Sequence, residues 1–283
     1  MIIPRRLSYA RSIMSSRTFS SLGCPTQEST FAMVKPDGMS HLGEIFERLH
    51  SEGFLVKNMK MTTLNKATAK IAYEDITHHD YYPAFQDYIT SGPILAMRLR
   101  RLDAISHWRK VIGPTDSEKA RETHPDTLRA LIGTDNVRNA VHGAETQNEV
   151  TKYCNTFFSS TSIFKRGESK TPNATLSLTP TFIESGKLGT FFSIISREGL
   201  RIDAMKTLHT DEIRSLSPTI STSIQEKLSA ENTPSGNVCI VELSHPNGFR
   251  TLQEGIGGLA LGCGIPNSRF GSDEESYAAK LLA

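Results

Sequence analysis

The strongest constraint in this chain is an internal echo at a nearly constant spacing. TFAMVKP, ending at Pro36, returns as ATLSLTP, ending at Pro180, an offset of 144. Leu42-Gly43 returns as Leu188-Gly189, Glu52-Gly53 as Glu198-Gly199 and Met59-Lys60 as Met205-Lys206, each at an offset of 146. Ser91-Gly92 before ILAMRL (94–99) returns as Ser235-Gly236 before VCIVEL (238–243), again at 144. A two-residue insertion and a later two-residue loss account for the drift. Such spacing points to two copies of one unit rather than one continuous domain. The length of 283 residues has room for two. The expected division is a first copy over 28–158, a linker over 159–171, a second copy over 172–270 and a tail over 271–283.

Within the first copy, residues 30–34 read as a short buried strand, punctuated by the turn residues Pro36 and Gly38. Ile45, Phe46 and Leu49 stand at helical spacing over 43–52, and Gly53 follows where a helix ends. Strand patterns cover 54–64 and 94–99, and helical ones 66–75, 82–90 and 103–111. The order β-α-β-α-α-β-α predicts an α+β fold, with helices packed on an antiparallel sheet.

Composition removes several classes of function. Against 30 acidic residues the chain carries 32 Lys and Arg, too even a balance for a nucleic-acid binder. No apolar run approaches the length of a membrane span. Cys24, Cys154, Cys239 and Cys263 form no CxxC pair, which argues against a zinc knuckle and for a reducing compartment. The segment before Glu28 (1–27) stands apart. It holds Arg5, Arg6, Arg11 and Arg17 and six serines but no acid, the composition of a mitochondrial transit peptide. A mitochondrial location is the expectation, with a cytoplasmic one as the alternative. Without that segment the net charge falls from +2 to −2.

Polar residues in the first copy gather at element ends. Lys35 closes the first strand. Arg109 precedes the break Gly113-Pro114-Thr115, Arg129 follows Pro125-Asp126-Thr127, and Asn139-Ala-Val-His142-Gly143 comes next. Three cations, a hydroxyl, an amide and one histidine are the groups that cradle a polyphosphate.

These stretches, with TFAMVKPDG, LGEIF, SGP, WRKVIGPT and the NxxHG of NAVHG, resemble the nucleoside diphosphate kinase family over about 30–158. The longer approach to Arg129 is similar to a divergent mitochondrial branch of that family. The resemblance implies a ferredoxin-like antiparallel sheet sandwich and a ping-pong transfer. In that reaction His142 takes the γ-phosphate of an NTP such as ATP and passes it to an NDP. It also implies nucleotide contacts from Lys35, Tyr73, Arg109, Thr115, Arg129 and Asn139, with Tyr82 stacking on the base. Mg²⁺ would enter with the nucleotide phosphates.

The match has departures. The family's HGSD reads His142-Gly143-Ala144-Glu145. Tyr153 stands where the family places a glutamate that orients the histidine, with Glu149 one turn away as a substitute. Asn136 occupies a base-pocket place that is often apolar. These departures carry the rival reading, a weakly active or inactive nucleotide-binding module serving mitochondrial assembly. In the second copy Thr179 replaces the lysine, Leu252 and Gln253 fall where Arg109 should recur, and no NxxHG follows. Its expected role is architectural, making the chain an intrachain pseudo-dimer. His209 and His245 read as ordinary surface or loop histidines.

Overall fold

The computed structural model describes residues 27–158, 173–213 and 236–247. The leader, the linker, the tail, Cys24, Cys263 and the stretch holding Leu252 and Gln253 lie outside the described residues.

Strand β1 (Gln27–Val34) ends in an apolar run that is buried on both faces. Phe31 and Met33 join one core cluster, and Ala32 and Val34 the other. A short 3-10 helix (Pro36–His41) leads to α1 (Leu42–Ser51), which buries Ile45, Phe46 and Leu49 and turns Glu44 and Glu47 outward. Next come β2 (Leu55–Thr63) and α2 (Lys66–Ala72), which Asn65 caps by accepting from the Thr68 N–H at 2.8 Å. The helix expected over 66–75 stops at Ala72. Tyr73 turns its ring into the core against Phe85, and a 3-10 turn (Glu74–Ile76) follows. After α3 (Tyr82–Ile89) and β3 (Pro93–Leu102), α4 (Ala104–Ile112) packs Trp108 into the core. Between Gly113 and Asn139 two helices too short to show a period form, α5 (Ser117–Thr123) and α6 (Leu128–Ile132). The short β4 (Val141–Gly143) and α7 (Gln147–Phe158) end the first half.

The remaining described residues form β5 (Asn173–Leu178), α8 (Pro180–Glu184), α9 (Leu188–Arg197), β6 (Arg201–His209), α10 (Thr210–Ile213) and β7 (Asn237–Ser244). Among the described residues the strands make one sheet in the order β4-β1-β3-β2-β6-β7-β5, and every described pairing is antiparallel. This is the α+β antiparallel architecture that the element order predicts.

The two ends of the sheet follow one register. Val34 faces Leu95 and Leu178 faces Cys239, the second pair being the first carried forward by the offset of the echo. Strand β2 carries a bulge between Val56 and Asn58, and β6 carries one between Ile202 and Ala204, at the corresponding place in the repeat. One hydrophobic cluster runs through both halves and includes Phe46, Leu49, Met97 and Trp108 with Phe191, Phe192, Met205 and Val241. The second cluster belongs to the first half, where Phe31, Met33, Ile94 and Ala96 meet Tyr73, Phe85, Tyr153 and Phe157.

Candidate active site

The polar residues singled out in the first half converge where β1, α4, α6 and β4 end. Strand pairing sets Met33 opposite His142. Beyond β1 the chain grips the segment before β4. The Lys35 N–H donates to the Ala140 carbonyl at 2.8 Å, and the Ala140 N–H donates to Asp37 Oδ2 at 3.0 Å. The Tyr88 hydroxyl donates to the same carboxylate. Ala140 has a φ of 60°, a left-handed conformation that costs roughly 1–2 kcal/mol in a residue with a Cβ. The hydrogen bonds on both its backbone groups hold it there. Gly38 completes the grip, because a Cβ on it would lie 2.6 Å from the Ala140 oxygen. The KPDG turn is thus a clamp on the approach to His142.

The cations form a second layer. Lys35 is buried, and its Nζ donates to Asn139 Oδ1 at 2.7 Å. Burial, then the neighbouring Arg129 charge, brings its pKa down to about 7. The Asn139 amide donates to the carbonyls of Thr115 (2.8 Å) and Asn136 (3.1 Å), which turns its oxygen toward the lysine. Arg129 is also buried. It donates to the carbonyls of Val141 (3.2 Å) and Gly113 (2.9 Å), and its Nη1 reaches the Thr115 hydroxyl at 3.5 Å. Burial and the Arg109 charge lower its pKa to about 10, so it stays charged at neutral pH. Arg109 is more open and pairs with Glu145 at 2.7 Å.

His142 sits inside this ring, half-buried. Trp108 Nε1 donates to its carbonyl at 3.2 Å. Its Nε2 is buried with no hydrogen-bond partner among the described residues. Around the imidazole stand Tyr153, edge-to-face at 5.1 Å, Tyr73 at 5.7 Å and Phe31 at 6.4 Å. Burial, followed by the charges of Lys35, Arg129 and Arg109, holds its pKa well below the usual histidine range. The ring is therefore neutral at pH 7, the form in which a nitrogen has a free lone pair.

Several expectations need correction. Tyr82 does not offer a ring to a base. It is buried in the second cluster, and Gln86 donates to its hydroxyl at 3.2 Å. The exposed ring at this turn is Tyr81, 46% accessible and stacked on His79. Tyr73 lies beside His142 as expected, but its hydroxyl donates to Met33 Sδ at 3.3 Å, and the residue is a wall of the site rather than a free donor. Glu149 does not replace the missing glutamate, because its Oε2 accepts from the Glu145 N–H at 2.8 Å. Asn136 is exposed and meets Asn139 through its carbonyl. His245 lies in the loop after β7, one of its two expected places, but is buried there, and its Nδ1 accepts from the Asn247 N–H at 3.0 Å.

Asp37, Tyr88 and Trp108 are parts of the site that sequence reasoning passed over. The PDG turn signal marks Asp37, whereas nothing in the spacing marks Tyr88 or Trp108.

No grouping of three or more His, Cys, Asp or Glu side chains suited to a metal occurs among the described residues. Near His142 the carboxylates of Asp37 and Glu145 are already engaged, and the rest of the donor set is cationic. The arrangement fits an anionic phosphate group, not a bare cation. No helix among the described residues is long and apolar enough to cross a membrane.

Known proteins resemble this chain mainly over its first half. Residues 28–163 match the family model described as nucleoside diphosphate kinase. The chain is 39% identical over 128 residues to a probable nucleoside diphosphate kinase 5 of Arabidopsis thaliana, covering 44% of this chain and 89% of that protein. It is 35% identical over 187 residues to nucleoside diphosphate kinase homolog 7 of Rattus norvegicus, covering 65% of this chain and 47% of the rat protein. The chain thus spans about half the length of that relative. Among solved structures, the Aquifex aeolicus nucleoside diphosphate kinase is similar with 35% identity and a TM-score of 0.46, over 49% of this chain and 99% of that one. By the extent of its match to the Arabidopsis protein, this chain belongs to the nucleoside diphosphate kinase family.

Proposed function

We propose that the chain is a working phosphotransferase that moves the γ-phosphate of an NTP to an NDP through a phosphohistidine at His142. The observation that supports this most is the neutral, half-buried imidazole of His142 within a ring of Lys35, Arg109 and Arg129. With Nε2 sealed among aromatic rings, the attacking atom is Nδ1. Its lone pair forms the N–P bond as the bond from phosphorus to the β–γ bridging oxygen breaks, and the NDP leaves with that oxygen. In the second half-reaction a β-phosphate oxygen of another NDP attacks the phosphorus, and the N–P pair returns to the imidazole. Lys35, Arg129 and Arg109 offset the charge on the phosphate oxygens. The Thr115 hydroxyl and the Asn139 amide complete the cradle. Mg²⁺ belongs to the substrate, carried on the nucleotide phosphates.

One observation favours the rival reading of a nucleotide-binding module with little turnover. The orienting carboxylate is absent, and Nε2 of His142 has nothing to bond to among the described residues. Loss of a partner that orients a histidine lowers activity from about 10-fold to about 10⁴-fold in other protein sites. Transfer of labelled γ-phosphate from ATP to GDP, run beside His142→Ala, separates the readings. Labelled GTP from the native chain alone supports the kinase. Nucleotide that raises the melting temperature without any transfer supports the module.

A further inference from the structure

The contacts between the two halves follow one rule. Lys60 of β2 faces Lys206 of β6 across an antiparallel pair, and the two are counterparts in the repeat, at the offset of 146. Phe46 of α1 stacks on Phe192 of α9 at 4.7 Å, again at that offset. Off these self-paired positions the contacts cross over. A Cβ on Gly43 would lie 2.2 Å from Ser193 Oγ, and one on Gly189 would lie 2.4 Å from Glu47 Cγ. Gly43 and Gly189 are counterparts at the same offset, and so are Glu47 and Ser193.

When residue i meets the counterpart of j, j meets the counterpart of i, and a few positions meet their own counterparts, the relation is a two-fold axis. It is the signature of an isologous dimer interface. Here both sides lie in one chain. The helices approach closely at Gly43 and Gly189, where a side chain would not fit. Further bonds tie the halves: the Met59 N–H donates to Thr207 Oγ1 at 3.0 Å, the Asn237 amide donates to the Lys57 carbonyl, and Lys57 pairs with Glu184 at 3.0 Å.

We propose that residues 173–213 and 236–244 are a tethered partner subunit. They occupy, element for element, the surface on which a second copy of residues 28–158 would sit, so the chain is a self-contained pseudo-dimer with its phosphate site in one half only. The edge of β2 and the face of α1 are then closed to any other copy of this chain. The matching register and bulges of β1-β3-β2 and β5-β7-β6 support the partner's origin as a copy of the first unit. The catalytic counterparts do not follow: Thr179, in the place of Lys35, caps α8 by accepting from the Phe182 N–H at 3.3 Å.

Cysteine cross-linking in the full chain tests this. Directly opposed residues of antiparallel strands have Cα atoms roughly 4.5–5.5 Å apart, within disulfide range. Under mild oxidation, Lys60→Cys/Lys206→Cys should form a bond within one chain, seen as a faster band of single-chain mass on a non-reducing gel. Lys60→Cys alone should form no bond beyond the native-chain control. A two-chain band from either variant, or no bond in the double variant, overturns the proposal. Hydrogen exchange on the unmodified chain guards against misfolding of the variants. The amides of Leu55–Thr63 should be protected at a concentration where light scattering gives the mass of one chain. Exchange typical of an open edge, or protection only in a two-chain species, overturns it equally.

Discussion

Replacing Tyr153 tests whether the imidazole of His142 is held by a hydrogen bond or by packing. The Tyr153 ring stands perpendicular to the imidazole at 5.1 Å and stacks on Phe31 at 4.9 Å. If its hydroxyl oriented the histidine, Tyr153→Phe would lower kcat/KM about 10- to 100-fold, or about 1.4–2.7 kcal/mol. Since Nε2 has no partner among the described residues, the expected change is within about twofold, or ~0.4 kcal/mol. The melting temperature should hold, because the ring keeps its stacking. A coupled assay of ADP release reads the first quantity and calorimetry the second. A tenfold loss of activity at unchanged stability refutes the reasoning. Tyr153→Glu gives the opposite sign. A charge-assisted hydrogen bond to Nε2 contributes about 1.5–3 kcal/mol. Against it stand burial and the charges of Glu149, Asp75 and Glu145, which already push the Tyr153 hydroxyl pKa up. The same surroundings raise the pKa of a carboxyl placed there. The gain, about tenfold, should therefore emerge as pH rises and vanish in acid. A loss independent of pH would show that no carboxylate at this place can serve the histidine.

Nucleotide binding above pH 7 should take up a proton, because phosphate restores the charge that burial removes from Lys35; titration calorimetry in buffers of differing ionisation enthalpy measures it, and buffer-independent heats would contradict it. Arg129→Ala and Arg109→Ala should both impair transfer but differ in stability. The first leaves the Val141 and Gly113 carbonyls without their donor at about 1–3 kcal/mol each, while the second breaks an exposed pair worth about 0–1 kcal/mol. Equal melting shifts would contradict this. The depressed pKa of His142 means that the unfolded chain binds the proton first as pH falls below about 6.5. Its contribution to stability is thus intact above that pH and is lost at up to ~1.4 kcal/mol per unit below it, so His142→Gln should flatten the acid limb of the stability curve. Residues 1–27 fused to a reporter should direct it to mitochondria, and a diffuse cytosolic signal would remove that reading of the leader.

The sequence shows the parts of this site that lie at element ends. Lys35 follows β1, Arg109 lies in the last turn of α4, Arg129 in the short α6, Asn139 just before β4 and His142 within it, and the three cations among them suit an anionic ligand. The repeat is legible for a related reason, since Gly43, Gly53 and their echoes keep a fixed spacing. What the sequence hides depends on packing between distant elements. Tyr81 and Tyr82 are chemically alike and adjacent, and only the entry angle of α3 decides which ring is buried. The isolation of Nε2 arises from Phe31, Tyr73 and Tyr153 on three separate elements, which no local pattern connects. Helices α5 and α6 are shorter than the window in which a period can be recognised.

The pairing of β2 with β6 also sets how this protein responds to dilution. Two separate chains joined along such an edge are held by an affinity, and they come apart when their concentration falls below it. Here residues 159–172 connect the halves, and a short tether gives an effective concentration on the order of millimolar whatever the amount of protein present. The sheet that carries β1 and β4, and with them the backing of His142, is then as complete in a single molecule as in a concentrated solution.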